Sequence, residues 1–144
     1  MRSLAEFPGH SGVLFAGTER FLYVTRDAGA HWTRVKANLP PMRIDDIVVH
    51  PRTKDLVLAT HGRSIWVLDD ASPFVQWSET AASSKSTLLP VRQATIVMYR
   101  EDISTMAHGF YAAENPVEGA VFTYSVSGPA ATATFTVKNA SGAV

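Results

Sequence analysis

An all-β chain assembled from small antiparallel sheets is what the sequence predicts, and three observations predict it. Apolar residues alternate with polar ones over short runs. Gly, Pro and Asp gather between those runs, and no stretch holds a helical period. The third observation is a duplication: "VLFAGTERFLYVTRD", from Val13, lies over "LVLATHGRSIWVLDD", from Leu56, so that Ala16 falls on Ala59, Arg20 on Arg63, Val24 on Val67 and Asp27 on Asp70. Leu22 and Ile65 agree in kind, as do Tyr23 and Trp66, and carried backwards the match pairs Leu4 with Ile47 and Pro8 with Pro51.

Each copy divides into strands. The first has apolar runs at 4–7, 13–16, 21–24 and 32–35, the first two separated by Pro8-Gly9. The second has runs at 44–49, 56–59 and 65–68, with Pro51 and charged residues in one gap and His61-Gly62-Arg63 in the next. The pattern then breaks into a Ser-, Ala- and Thr-rich stretch at 71–86, read as a surface insertion, and apolar residues return at 87–99 as the last strand of this copy, with Pro90 marking an edge.

A repeat of about 40 to 45 residues carrying four antiparallel strands is the signature of a β-propeller blade. The same strands also fit an ordinary β-sandwich with two similar hairpins. The expected organisation is a partial propeller of two four-stranded blades over 1–98, divided as 1–43 and 44–98. A linker follows at 99–116, and an incomplete β-sandwich hairpin at 117–144. In that tail Ala120, Phe122, Tyr124 and Val126 alternate with Val121, Thr123 and Ser125, and Ala133, Phe135 and Val137 with Thr134, Thr136 and Lys138, which predicts two half-buried strands.

The stretch "TRDAGAHW" falls where the third and fourth strands of a blade are joined. An Asp there accepts backbone N–H groups, Gly takes a positive φ, and a large aromatic pins the returning strand by burial. With Thr25, Asp27, Gly29 and Trp32 in its motif positions, the stretch resembles the Asp box, S/T-x-D-x-G-x-x-W, of sialidase-like and sortilin-like propellers. His31 stands where many members have Thr, which implies a weakened supporting hydrogen bond. In the second copy Asp70 remains, whereas Ser72 and Val75 replace the glycine and the tryptophan. The wider text over about residues 1 to 98 is similar to the closing blades of bacterial sortilin-like or BNR-repeat "glycosyl hydrolase" propellers, and "ENPVEGAVFTYSVSG" to the start of the immunoglobulin-like domain that follows them. The resemblance implies a protein- or carbohydrate-binding scaffold of the cell envelope or exterior whose remaining blades lie outside this chain.

Composition narrows the classes of function. Thirteen Lys and Arg balance thirteen Asp and Glu, so no long-range field favours nucleic acid or an anionic membrane. No apolar run approaches the roughly 20 residues of a spanning helix, and "MRSLAEFPGH" lacks the apolar stretch of a signal peptide. Neither membrane insertion nor export is therefore expected from the sequence as written. Cysteine is absent, which removes thiolate catalysis and cysteine zinc sites. His10, His31, His50, His61 and His108 are scattered without ligand spacing, so neither metal nor cofactor is expected.

Antiparallel order places Glu19, Arg20, Asp45, Asp46, His61, Gly62 and Arg63 at one end of the blades, and Thr25, Asp27, Gly29, Asp69 and Asp70 at the other. The first end holds the catalytic candidates. Asp46 or Asp45 would act as acid or base, with His61 and Arg63 orienting a polar substrate, and Arg20, Asp45, His61 and Arg63 are the binding candidates. Glycoside hydrolysis needs two carboxylates, and strand alternation predicts that Asp45 and Asp46 point to opposite faces and cannot be that pair. The competing role for these residues is structural: strand-end capping by Asp and a ready turn at His61-Gly62-Arg63. The expected function is accordingly non-catalytic. The alternative is a glycoside-hydrolase-like enzyme whose centre is completed by other blades.

Overall fold

The computed structural model describes residues 1–80, 86–96, 98, 115, 117–126, 132 and 134–143. Strands dominate them. β1 (Ser3–Phe7), β2 (His10–Gly17), β3 (Leu22–Thr25) and β4 (Thr33–Arg34) form a four-stranded antiparallel meander in chain order. β5 (Ile44–Val49), β6 (Leu56–Thr60) and β7 (Ile65–Leu68) form a three-stranded meander. The all-β expectation therefore holds.

The two sheets pack face to face. Alternation sends Phe7, Val13, Phe15, Leu22 and Val24 of the first sheet inward, where they join Ile47, Val49, Leu56 and Leu58 of the second in one buried cluster with Val35, Met42 and Ile44. β1 lies beside β5, tied by the Ser3 hydroxyl donating to the Ile44 carbonyl at 3.2 Å. Closeness here requires a glycine. A Cβ on Gly17 would sit 2.8 Å from Ile44 Cγ2 and would collide with Ser3 Oγ.

Among the described residues the second sheet has three strands, without the expected fourth. Residues 89–96 form none, and the strand that precedes them, β8 (Ser86–Leu88), pairs instead with β9 (Tyr124–Val126) in a separate two-stranded sheet. The proline at position 90, with no N–H to donate, follows directly on Leu89, whose amide donates to Thr123 at 2.9 Å. The stretch read as a surface insertion contains α1 (Ser72–Thr80). Its start is chemically defined: Asp70, at φ 50°, turns the chain out of β7 and its carboxylate accepts the Ser72 amide at 3.1 Å, and Pro73 suits a first helical turn. Ala71 and Val75, four apart, are buried, and Phe74 meets Phe15 edge-on at 5.5 Å. At nine residues the helix is too short to announce itself by period.

The tail departs further. Among the described residues of its two expected strands only Tyr124–Val126 forms one, and Phe135 and Val137 are exposed and outside any strand. Tyr124 and Phe122 do approach Phe135, with ring centroids 5.0 and 6.2 Å apart. Ala133 and the linker at 99–116, Asn115 excepted, lie outside the described residues.

The duplicated text is also displaced by one residue within the sheets. Ala16 pairs with Leu4 and Tyr23, but the residue pairing with Ile47 and Trp66 is Leu58, not Ala59. Hairpin length explains the slip. In the first copy Thr18 N–H donates to the Phe21 carbonyl, leaving a two-residue loop, whereas in the second Thr60 N–H donates to Ser64 across three residues, with Gly62 at φ 77° and Ser64 at φ 58°.

Candidate functional site

At the end of the sheets that carries the β2–β3 and β6–β7 hairpins, charged side chains converge on Asp45. Arg43 Nε donates to Asp45 Oδ1 at 2.6 Å, His61 Nδ1 stands 3.6 Å from its other oxygen, and Arg2 Nε bonds Glu19 at 2.5 Å beside them. The Arg43 hydrogen bond, before any other cause, holds the Asp45 carboxyl below its ordinary value, and Asp45 in turn raises Arg43. Backbone bonds fix the arrangement: Ile44 N–H to Thr18, His61 N–H to Arg43 and Met42 N–H to Arg20.

The structure thus brings Glu19, Asp45 and His61 together as expected, and adds Arg2 and Arg43. Both are basic residues next to strand starts, a signal present in the sequence but ordinary for solvent-facing ends. Asp46 does not join the group. Its carboxylate accepts the Ile47 amide at 2.8 Å. Arg63 contributes its carbonyl to the Trp66 indole N–H at 2.9 Å, while its guanidinium makes no ion pair among the described residues. Arg20 stacks over Phe21, 5.7 Å from the ring centroid.

One expectation about the two adjacent aspartates needs correction. They do not take opposite faces, because β5 bulges there: Ile44 pairs with Thr60 and Asp46 with Ala59, leaving Asp45 as the extra residue. Both are exposed, and the buried positions run Ile44, Ile47, Val49. They remain unsuited as a catalytic pair, since one is committed to Arg43 and the other to its own strand.

The opposite end carries the Asp-box residues in a closed hydrogen-bond network. Buried Thr25 donates its hydroxyl to Asp27 Oδ1 at 2.7 Å and accepts from the Gly29 amide at 3.0 Å. Asp27 Oδ1 also accepts the His31 amide at 2.8 Å, and the His31 ring Nδ1 lies 2.6 Å from Oδ2. These bonds, the His31 amide foremost, hold the Asp27 carboxyl well below the usual carboxylate range. At this position the backbone amide keeps its bond to Asp27, and the His31 ring adds a contact of its own where the resemblance implied a weakened one. Gly29, at φ 98°, takes the conformation expected of it. Trp32 does not pin the strand by burial: it is 39% exposed, its indole lying close over Gly29.

Nearby, Asp55 accepts the Asp70 amide at 3.0 Å, and Arg92 stands 4.0 Å from both Asp55 and Asp70. Burial, then the Asp55 charge, pushes the Asp69 carboxyl up, and Arg92 opposes the shift. Between β3–β4 and the start of α1 lies a cleft of about 400 Å³, with Val24, Val35, Leu68 and Phe74 on its walls and Arg26 and Arg34 at its edge. Sequence reading missed this cleft because α1, which forms one wall, was itself missed.

Among the described residues no three His, Asp or Glu side chains form a group able to hold a metal ion, and no helix is long and apolar enough to cross a membrane. His108 lies outside the described residues. Compared with family models, with curated proteins and with solved structures, the chain matches none.

Proposed function

We propose that the chain is a non-catalytic scaffold element, two blades of an Asp-box β-propeller with further blades beyond this chain, that presents a surface for protein or carbohydrate. The observation that carries this reading is the Thr25–Asp27–Gly29–His31 network, in which the Thr25 hydroxyl and both oxygens of the Asp27 carboxylate are engaged within the hairpin itself. Consecutive meanders packed face to face and an open apolar face on the second sheet support it. The candidate acid Asp46 is bonded to its own strand, and the Asp45 carboxylate is engaged by Arg43.

The test is retention on immobilised polysaccharides and proteins, run beside an assay for newly released reducing ends. Retention without release is expected. Release of reducing ends that Asp46→Ala abolishes at unchanged melting temperature would replace this reading with the glycoside-hydrolase-like enzyme built on Asp46, His61 and Arg63.

A further inference from the structure

The cleft of about 400 Å³ between the β3–β4 hairpin and the start of α1 has the size of a small-ligand site, and most of its lining is apolar. Val24 and Val35 are buried there, and Leu68, Pro73 and Phe74 stand half-buried around them.

One cation is turned into this cleft. Arg26 reaches across to α1, where its Nε donates to the Phe74 carbonyl at 3.0 Å and sets the guanidinium beside the Phe74 wall. With Nε engaged, the two terminal nitrogens have no partner among the described residues, and no carboxylate pairs with them. Burial alone lowers the Arg26 pKa from its ordinary value, with no anion to offset it, yet an arginine stays charged. A cation partly stripped of water against an apolar wall gains from an anion that meets it there. The other basic residues of the lining do not share this role. Arg34 pairs with Tyr23, and buried Val35 separates it from Lys36, so both side chains leave by the far face of the first sheet, and Arg34 stacks on Phe21 at 3.5 Å from the ring centroid. The lining carboxylate, Asp70, is itself occupied: it accepts the Ser72 amide at 3.1 Å and stands 4.0 Å from Arg92.

We propose that this cleft binds a small amphipathic carboxylate, a fatty acid of medium chain length, with its head on the free end of the Arg26 guanidinium and its hydrocarbon against Val35, Leu68 and Phe74. Two terminal nitrogens match the two oxygens of one carboxylate. A single arginine suits a single negative charge, and the apolar walls have nothing to offer the hydroxyls of a free sugar. A tail of about eight carbons suits a cleft at the lower end of the range of ligand sites. The proposal stands on the cleft and the unpaired guanidinium, independently of the scaffold reading.

The experiment is equilibrium dialysis of the intact chain against octanoate, with octanol, octylamine and acetate as comparisons, and methyl NMR to locate the bound tail. Saturable binding of octanoate is expected, about tenfold or more tighter than octanol, with octylamine and acetate weaker still. Arg26→Gln should bring octanoate down to the level of octanol and leave octanol where it was. On saturation the methyl signals of Val35 and Leu68 should move, while those of Val48 and Val57, on the open face of the second sheet, stay in place. Should Arg26→Gln fail to fold, the ranking of the four probes and the methyl shifts of the wild-type chain carry the test. Absence of saturable binding, octanol or octylamine binding as tightly as octanoate, indifference of a folded Arg26→Gln variant, or shifts at Val48 and Val57 in place of Val35 and Leu68 would each overturn the proposal.

Discussion

Thr25 is the residue on which the β3–β4 hairpin turns. Its hydroxyl is buried, donates to Asp27 and accepts the Gly29 amide, so Thr25→Val keeps the shape and leaves an amide unsatisfied. The expected cost is about 1–3 kcal/mol, read as a lower urea midpoint at unchanged slope. Asp27 answers to pH. Because its folded carboxyl is held below the unfolded value of about 3.9, its contribution is present above that value and is lost as pH falls through the folded one. Replacing the carboxylate by Asp27→Asn should flatten the acid side of the melting-temperature profile below about pH 5, and an unchanged profile would contradict the network. Asp69 has the opposite sign. Its folded value is raised, so the protonated form is the favoured one in the fold, and the associated stability is present below the unfolded value and lost as pH rises through the folded one. Asp69→Asn should therefore raise the melting temperature at pH 7 and leave it nearly unchanged at low pH.

At the scale of elements, what the sequence made legible was alternation. Val13, Phe15, Leu22 and Val24 announce strands because an apolar side chain at every second position has one use, a buried sheet face. Gly17 illustrates a less visible constraint. Its φ is unremarkable, and what excludes a side chain there is Ile44 of the other sheet, a long-range neighbour that local pattern does not reveal. Gly17→Ala should cost about 1–3 kcal/mol by overpacking, measured by thermal unfolding, whereas Gly9→Ala meets no neighbouring atom and is strained only by its positive φ. The bulge at Asp45 was equally hidden, and at His61-Gly62-Arg63 the turn was legible but its three-residue length was not, since the two copies align there without a gap. Together they explain why identical letters, Ala16 and Ala59, occupy non-equivalent places. Helix α1 escaped because it lies in a Ser-, Ala- and Thr-rich stretch that reads as a surface insertion, and nine residues give too few turns for a period to emerge. For the candidate site, the grouping of Glu19, Asp45 and His61 followed from strand order alone. The partners Arg2 and Arg43 did not, because ion pairing depends on side-chain reach across a bulge.

For the molecule as a whole, the decisive asymmetry is between the two faces of the second sheet. One face, with Ile47, Val49, Leu56 and Leu58, is buried against the first sheet. The register places Val48, Val57 and Val67 in one row across the other face, with Asp46, Ala59 and Ile65 in the next, and there Val48 and Val67 are each 53% exposed and Ile65 68%. β-branched side chains in contiguous rows on an open sheet are a strong association surface, since water leaving them supplies about 25 cal/mol per Å² buried. A neutral chain adds no charge repulsion to oppose contact. The expected behaviour in isolation is concentration-dependent association through this face, detected by light scattering behind size exclusion. Two lysines introduced into the rows, Val48→Lys with Ile65→Lys, should restore a monomer without lowering the melting temperature, because neither side chain belongs to the buried cluster. Salt should not disperse the wild-type assemblies, as it would if the Arg43–Asp45 end made the contact. A wild-type chain that stays monomeric at high concentration would show that these rows are not an association surface, and would remove the open face from the support for a larger ring.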